Sequence, residues 1–205
     1  MGSARVAVLD YGMGNLHSVA RALANVGAEA SVTAEGTEAL KADAIVVPGV
    51  GHFGACMRAV RAAGLDETIR SAVAGDRPVF GVCVGMQILF EGSDEDPEPG
   101  LGLVAGRVRR LPETVKVPHV GWNTVAWTGR QHPYTAGLPD GAYFYFVHSF
   151  APDLGPSTVG AADHGRTFAA ALGEANVFAT QFHPEKSGDA GLALFEAFVR
   201  EVSAA

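Results

Sequence analysis

Residues 78–91 read PVFGVCVGMQILFE, a buried strand-like run followed by a helical pattern. Cys83 stands at the junction with a glycine two residues away on each side, the arrangement of a nucleophile elbow with cysteine in place of serine. A sharp turn of this kind exposes the side chain above the sheet, and the free N–H groups at the start of the helix stabilise a thiolate. We therefore predict that Cys83 is a nucleophile. The alternative is a buried structural cysteine, the commoner fate of an isolated thiol.

The rest of the first half repeats the alternation of strand and helix. Apolar runs at 6–9 and 44–47 predict strands, and helical spacing is found over 16–26 and 57–65. Such alternation indicates βαβ units and a parallel sheet. The second half reads mainly as strands before a closing helix, which favours antiparallel additions to the sheet. We predict one α/β domain over residues 1–205. The predicted strands of the second half are 103–111, 120–127, 142–150, 158–162, 168–172 and 177–182, after a loop at 91–102.

Length, charge and cysteine content indicate what general class of protein this is. The chain has 205 residues, of which 48% are apolar, enough for one domain with a substantial core. A net charge of -7 argues against a general nucleic-acid binder. The first strand-like run begins close to Met1, which leaves no room for a secretory leader, and no apolar stretch is long enough to cross a bilayer. Two cysteines make no disulfide framework, so we predict a reduced, cytoplasmic compartment with no membrane association.

A second motif, QFHPE at 181–185, ends the last predicted strand. Residues two apart on a strand point to the same face, so His183 and Glu185 are predicted to lie side by side. A carboxylate beside an imidazole fixes its tautomer, as in a catalytic triad. The alternative for His183 is a surface histidine at a strand end. A zinc site is disfavoured because neither C-x-x-C nor H-x-x-x-H occurs, so we predict no metal and no cofactor.

Two further features bear on the chemistry. Pro48-Gly49-Val50-Gly51 follows a predicted strand, and its glycines allow a peptide N–H to turn toward a developing oxyanion. An ordinary Pro-Gly turn is the alternative. The second thiol, Cys56, lies within a helical pattern without flanking glycines, and we interpret it as a packing residue in the core or near the surface.

These motifs, PGVG, GVCVGMQ and FHPE, resemble in order and separation those of the class I glutamine amidotransferases. Further segments resemble, within that family, the glutaminase subunits of imidazole glycerol phosphate synthases: 10–15, 117–123, 145–149 and 181–187. The resemblance covers nearly the whole chain and implies a three-layer, flavodoxin-like open sheet, mostly parallel and flanked by helices. Val84 and Val120 are mild departures, where the family often has leucine and methionine.

The resemblance also implies roles for individual residues. Cys83 attacks the side-chain amide of glutamine, His183 passes a proton to the departing ammonia, and Glu185 orients His183. The main chain of Gly49, Val50 and Val84 supplies the oxyanion donors. Positions that contact glutamine in the family are matched here by Gln87, Glu95, Ser149 and Phe150.

The implied partner is a (βα)8-barrel cyclase, which forms a heterodimer with the glutaminase and receives its ammonia. Four residues match family positions at or near that interface: Asn15, Trp122, Tyr145 and Lys186. Core packing is an equal alternative for Trp122 and Tyr145.

Three other functions stay open from the sequence. The chain could be an amidotransferase serving anthranilate, aminodeoxychorismate or pyridoxal phosphate synthesis, although the GMGN and HVGWN segments argue against this. It could be a binding module on the same fold, because fold alone does not define function. It could also be another cysteine hydrolase with a similar elbow, although such proteins do not usually carry a distant FHPE.

Overall fold

The computed structural model describes residues 3–128 and 132–204. Helices and strands alternate through the first half, and strands dominate the second half. The helices are α1 (Leu16–Asn25), α2 (Gly36–Ala39), α3 (Phe53–Ala62), α4 (Leu65–Ala74), α5 (Val84–Gln87) and α6 (Gly188–Ala204). The strands are β1 (Arg5–Leu9), β2 (Glu29–Thr33), β3 (Ala44–Gly49), β4 (Val79–Cys83), β5 (Gly92–Ser93), β6 (Arg107–Arg110), β7 (His119–Trp127), β8 (Ala142–His148), β9 (Phe150–Pro152), β10 (Thr158–Asp163), β11 (Thr167–Glu174) and β12 (Val177–Thr180).

Within the described residues, the main sheet has nine strands in the order β2-β1-β3-β4-β12-β11-β10-β7-β8. Pairing is parallel from β2 through β12 and antiparallel from β12 through β8. Parallel strands are joined by crossover connections, which are right-handed. The crossover from β1 to β2 runs across the sheet in one direction, and those from β2 to β3 and from β3 to β4 run in the other. Helix α1 therefore lies on one face of the sheet and α2 to α4 lie on the other. Helix α6 packs against α1. The result is a three-layer α/β fold, as the sequence predicts.

The parallel half brings three strand ends to one edge of the sheet. In the register of β3 and β4, Gly49 is opposite Cys83, and in that of β12 and β4, Thr180 is opposite Val82. The segments after β3, β4 and β12 therefore emerge side by side, although they come from distant parts of the chain. Beside this edge, β5, β6 and β9 form a separate three-stranded sheet.

An aromatic cluster under α6 anchors the middle of the sheet. The ring of Phe80 lies 5.1 Å from Phe178, 5.5 Å from Phe195 and 5.3 Å from Phe198 between centroids. All four side chains are fully buried. Each contributes about 1.5–3 kcal/mol by leaving water, so the cluster fixes β4 and β12 against α6 beneath the three strand ends.

Most predicted elements are confirmed, and the differences have local causes. The predicted helical stretch over 57–65 divides into α3 and α4 because Gly64, at φ 67°, turns the chain between them. The helix after Cys83 is only four residues long, and the strand predicted over 103–111 covers only 107–110. The strand predicted over 142–150 is interrupted at Ser149. Strand β2, whose residues are largely solvent-accessible, and helix α2 carry no strong apolar pattern and were not predicted.

The described residues also bear on membrane spanning and on metal binding. None of the helices within residues 3–128 and 132–204 is both long and apolar enough to span a membrane. In the same part of the chain, no group of three His, Cys, Asp or Glu side chains is arranged to hold a metal ion.

Candidate active site

Cys83 lies at a strained turn between β4 and α5. Its backbone has φ 55° and ψ −113°, a conformation that costs a non-glycine residue of the order of 1–3 kcal/mol. The turn is held by close packing, because a Cβ atom on Gly85 would overlap the carbonyl oxygen of Val47 in β3. Glycine at this position lets the start of α5 approach the sheet, and Cys83 lies directly at the amino terminus of that helix.

His183 and Glu185 are in contact, but not through strand geometry. Strand β12 ends at Thr180, and a 3-10 turn at Pro184–Lys186 follows, so the predicted reason, two residues on one face of a strand, is wrong. The turn nevertheless brings His183 Nδ1 to 2.8 Å from Glu185 Oε1. Ser187 fixes the turn by donating its hydroxyl to the carbonyl of His183 at 2.6 Å.

The electrostatics of this pair favour a charged ring. Burial of His183 opposes protonation, but interactions with the Cys83 sulfur and the Glu185 carboxylate outweigh it and raise the pKa of His183 to about 10. Among the described residues, His183 Nε2 is buried without a hydrogen-bond partner. With Nδ1 committed to Glu185, Nε2 is the nitrogen available to exchange a proton at the cavity.

A cavity of about 260 Å³ joins these groups. Cys83 and His183 share its wall, which brings the predicted nucleophile and base to one site. Most of the other residues predicted to bind substrate or oxyanion also line it: Val50, Val84, Gln87, Glu95, Ser149 and Phe150. Gly49 is not part of the lining; it lies behind the site, opposite Cys83 in the sheet. The volume suits a ligand of amino-acid size.

Known proteins with similar sequences are glutamine amidotransferases. The family described as Glutamine amidotransferase class-I matches residues 7–202. The imidazole glycerol phosphate synthase subunit HisH of Symbiobacterium thermophilum is 46% identical over 202 residues, covering 97% of this chain and 95% of that protein. HisH of Acinetobacter baylyi is 48% identical over 200 residues, covering 95% and 97%. The chain belongs to the HisH group of class I glutamine amidotransferases.

Solved structures support the fold of this amidotransferase. PurLQS from Thermotoga maritima superposes with a TM-score of 0.76 at 20% identity, covering 98% of this chain and 99% of that one. A crystal structure described as a glutamine amidotransferase gives a TM-score of 0.72 at 22% identity, with coverage of 98% and 99%. At such identities the likeness concerns the fold alone.

On the predicted oxyanion side of the amidotransferase site, two side chains hold the end of β3 and the loop that follows it. The hydroxyl of Tyr11 donates to the carbonyl of Pro48, and the thiol of Cys56 donates to the carbonyl of Val50 at 3.3 Å. Burial raises the pKa of Cys56 to about 11, which keeps the thiol protonated and able to donate. Cys56 thus lies in the core and not near the surface, and it also bonds to the loop after β3. The role of Tyr11 had no signal in the sequence beyond its place in DYGMGN.

On the substrate side of the cavity, the side-chain amide nitrogen of Gln87 is hydrogen-bonded to other protein groups. Its Nε2 donates to the carbonyl of Phe150 at 2.9 Å and to Oε1 of Gln181 at 3.0 Å. Gln181 in turn directs Nε2 at the Cys83 sulfur, 3.7 Å away. Gln181 was not predicted as a site residue, although a buried glutamine before FHPE interrupts an apolar run. Glu95 accepts a hydrogen bond of 2.7 Å from the N–H of Phe53, the first residue of α3.

Two of the four predicted interface residues lie in segments that leave the ends of parallel strands, Asn15 after β1 and Lys186 after β12. Asn15, which precedes α1, and Lys186 are exposed. Trp122 on β7 is 55% exposed and meets Tyr145 on β8 edge to face, with centroids 6.1 Å apart. The Lys186 ammonium lies 5.9 Å from the centroid of the Tyr145 ring. Trp122 is therefore not a core residue, and Tyr145 is half-buried.

Proposed function

We propose that this chain hydrolyses glutamine to glutamate and ammonia as the glutaminase subunit of an imidazole glycerol phosphate synthase. The observation that carries the proposal is the shared cavity of Cys83 and His183, with Glu185 bonded to the far nitrogen of the imidazole. Thiol, imidazole and carboxylate in series form the arrangement of a cysteine-nucleophile triad. Membership of the HisH group supplies the substrate class.

The reaction follows from this arrangement. The Cys83 thiolate attacks the amide carbon of glutamine, and the resulting oxyanion is stabilised by N–H groups of the loop after β3 and of Val84. Protonated His183 gives its Nε2 proton to the amide nitrogen, the carbon–nitrogen bond breaks, and ammonia leaves a glutamyl thioester. The neutral imidazole of His183 then takes a proton from a water molecule. The resulting hydroxide attacks the thioester carbon, and the Cys83 thiolate leaves. Glutamine and water are thereby converted to glutamate and ammonia.

The proposed partner is a (βα)8-barrel cyclase that receives the ammonia in a cytoplasmic heterodimer. Support comes from an exposed apolar sheet face on the β7–β8 ladder. Cross-strand neighbours share a face, and the exposed large side chains of this ladder all lie on the one that carries Trp122. They are Val120, Trp122, Tyr143 and Val147, of which Val147 also lines the cavity. An exposed aromatic patch of this kind is typical of a protein–protein interface.

The proposal is tested by turnover with and without the cyclase of the same source. We expect Cys83→Ala to abolish glutaminase activity and to keep the fold and the complex, and Glu185→Gln to retain only weak activity. With wild-type protein, mass spectrometry of quenched reactions should detect the glutamyl adduct on Cys83. We expect slow glutamine hydrolysis by the chain alone and strong acceleration by the cyclase with its nucleotide substrate. Turnover by Cys83→Ala would refute the nucleophile, and a cyclase that accepts free ammonia but never glutamine would refute the pairing.

A further inference from the structure

Two histidines of the VPHVGWN and FVHS segments form a buried pair beside the cavity, with no part in the chemistry above. His119 begins β7 and His148 ends β8, and the two are directly opposite each other in the ladder. His119 Nδ1 lies 3.0 Å from His148 Nε2. Phe146 stacks on His119, and Phe168 meets both rings edge to face, so the pair is enclosed by aromatic side chains. Only one hydrogen can lie between two nitrogens at this distance.

The position of that hydrogen follows from the outer contacts of the pair. His148 Nδ1 lies 2.9 Å from the carbonyl oxygen of Phe150, which can only accept, so Nδ1 carries the hydrogen. Burial lowers the pKa of His148 to about 3, so the ring is neutral and Nε2 is an acceptor. His119 must therefore donate from Nδ1. Burial lowers the pKa of His119 to about 4, which leaves its own Nε2 as an acceptor.

Asn123 begins the chain of donors. Its Oδ1 accepts from the N–H of Thr124 at 2.8 Å, which fixes the amide orientation and leaves Nδ2 as the donor. Nδ2 donates to the carbonyl of Asp163 at 2.8 Å and, over a longer 3.4 Å, reaches Nε2 of His119. Every hydrogen bond from Asn123 through the two rings to Phe150 thus points the same way.

The chain ends on an oxygen that the active site also holds. The Phe150 carbonyl accepts from His148 and, at 2.9 Å, from Gln87 Nε2, so both of its lone pairs are used. This carbonyl oxygen has no lone pair left for a ligand, and the two hydrogen bonds, from His148 and from Gln87, fix the position of Phe150. His148 and Phe150 line the same cavity as the nucleophile, so a shift of this segment changes the shape of the wall that contacts the ligand.

We propose that His119 and His148 are positioning residues, which fix the cavity wall at 148–150 for glutamine through a one-way hydrogen-bond chain ending on the Phe150 carbonyl. The role rests on the proposed glutaminase function. Its physical basis, the direction of the hydrogen bonds, can be measured without turnover.

The first test is the tautomer of each ring. Long-range proton–nitrogen NMR spectra of protein labelled with ¹⁵N-histidine, recorded near pH 7, should show both His119 and His148 with the hydrogen on Nδ1. Free neutral imidazole side chains exist as a mixture of the two tautomers, so a pure Nδ1–H form of both rings is a specific signature. A hydrogen on Nε2 of either ring overturns the proposal, whether or not the protein hydrolyses glutamine.

The second test separates the hydrogen bond from ring packing. Asparagine places an amide nitrogen near the position of Nδ1, so His119→Asn keeps the donor, whereas His119→Leu keeps only bulk. One net hydrogen bond is worth about 0.5–1.5 kcal/mol, so we expect His119→Leu to raise KM for glutamine roughly twofold to tenfold with kcat changed less, and His119→Asn to restore KM. The control is His164→Leu, which removes a ring stacked on His119 at 4.1 Å but outside the chain. Glutamine affinity measured by calorimetry on the Cys83→Ala background should change in parallel. Equal KM values for His119→Leu and wild type, or equal defects in His119→Leu and His119→Asn, would contradict the proposal.

Discussion

Gly85→Ala probes the close packing that holds the nucleophile turn. A Cβ atom at this position would overlap the carbonyl oxygen of Val47 and lie 2.8 Å from its carbonyl carbon and 3.1 Å from that of Pro48. These atoms belong to the backbone of β3, so no side chain can rotate away and the start of α5 must move. Overpacking of this kind costs about 1–3 kcal/mol, which corresponds to a fall in Tm of about 2–12 °C for a domain of this size.

The effect on activity should exceed the effect on stability. The displaced segment carries the N–H of Val84, a proposed oxyanion donor, and losing one such donor costs roughly 10²–10³ in kcat. We therefore expect Gly85→Ala to lower kcat for glutamine about 100-fold, measured by glutamate release in the activated complex. Gly137→Ala is the control, because a Cβ there meets nothing within 4 Å. If Gly85→Ala keeps wild-type kcat and Tm, the close approach of α5 and β3 does not shape the site.

Four further outcomes follow from the site. Glu185→Gln should lower kcat by about 10²–10⁴ with little change in KM, because the ring loses its orienting carboxylate; a loss below fivefold would argue against this role. The folded-state pKa of His183, about 10, lies above its ordinary 6.5, so the stability that its charge contributes is fully present below pH 6.5 and is lost as pH rises through about 10. Unfolding free energies from pH 6 to 11 should show this loss, reduced in Cys83→Ala; identical profiles would contradict the coupling. Trp122→Ala should weaken the cyclase complex by about 2 kcal/mol, near 30-fold in Kd by calorimetry, and an unchanged Kd would exclude Trp122 as an anchor. Cys56→Ala should lower kcat roughly twofold to tenfold through loss of the bond to the Val50 carbonyl, and Cys56→Ser, which keeps a donor, should restore it.

Local signals explain what could be predicted from the sequence. The turn at Cys83 was predictable because strand, glycine, cysteine, glycine and helix follow one another within a few residues. The contact of His183 with Glu185 could also be predicted, because the two residues are only two positions apart. The backbone conformation that brings them together could not, because Pro184 opens a 3-10 turn instead of extending the strand. A short sequence motif shows that two residues are close together in the chain. It does not determine the backbone conformation that joins them.

Apart from the approach of Cys83 to His183, which the family resemblance implies, contacts between distant segments could not be predicted from the sequence. The bond from Gln87 to Gln181 joins residues 94 positions apart, and the bond between His119 and His148 spans 29. Each depends on the register of strands that are paired only in the folded sheet. A buried glutamine or histidine within an apolar run signals that a polar partner exists, because burying an unpaired amide or imidazole is costly. It does not say where in the chain that partner lies.

The strand order has a consequence for biosynthesis. The nucleophile leaves the ribosome early, at the end of β4, but the neighbouring strand β12 is among the last to be made. Pairing across so long a separation is intrinsically slow, and it cannot begin until the carboxyl-terminal segment has emerged. A nascent or truncated chain that ends before residue 183 therefore presents its thiol without the imidazole of the site, and glutamine hydrolysis requires the carboxyl-terminal segment.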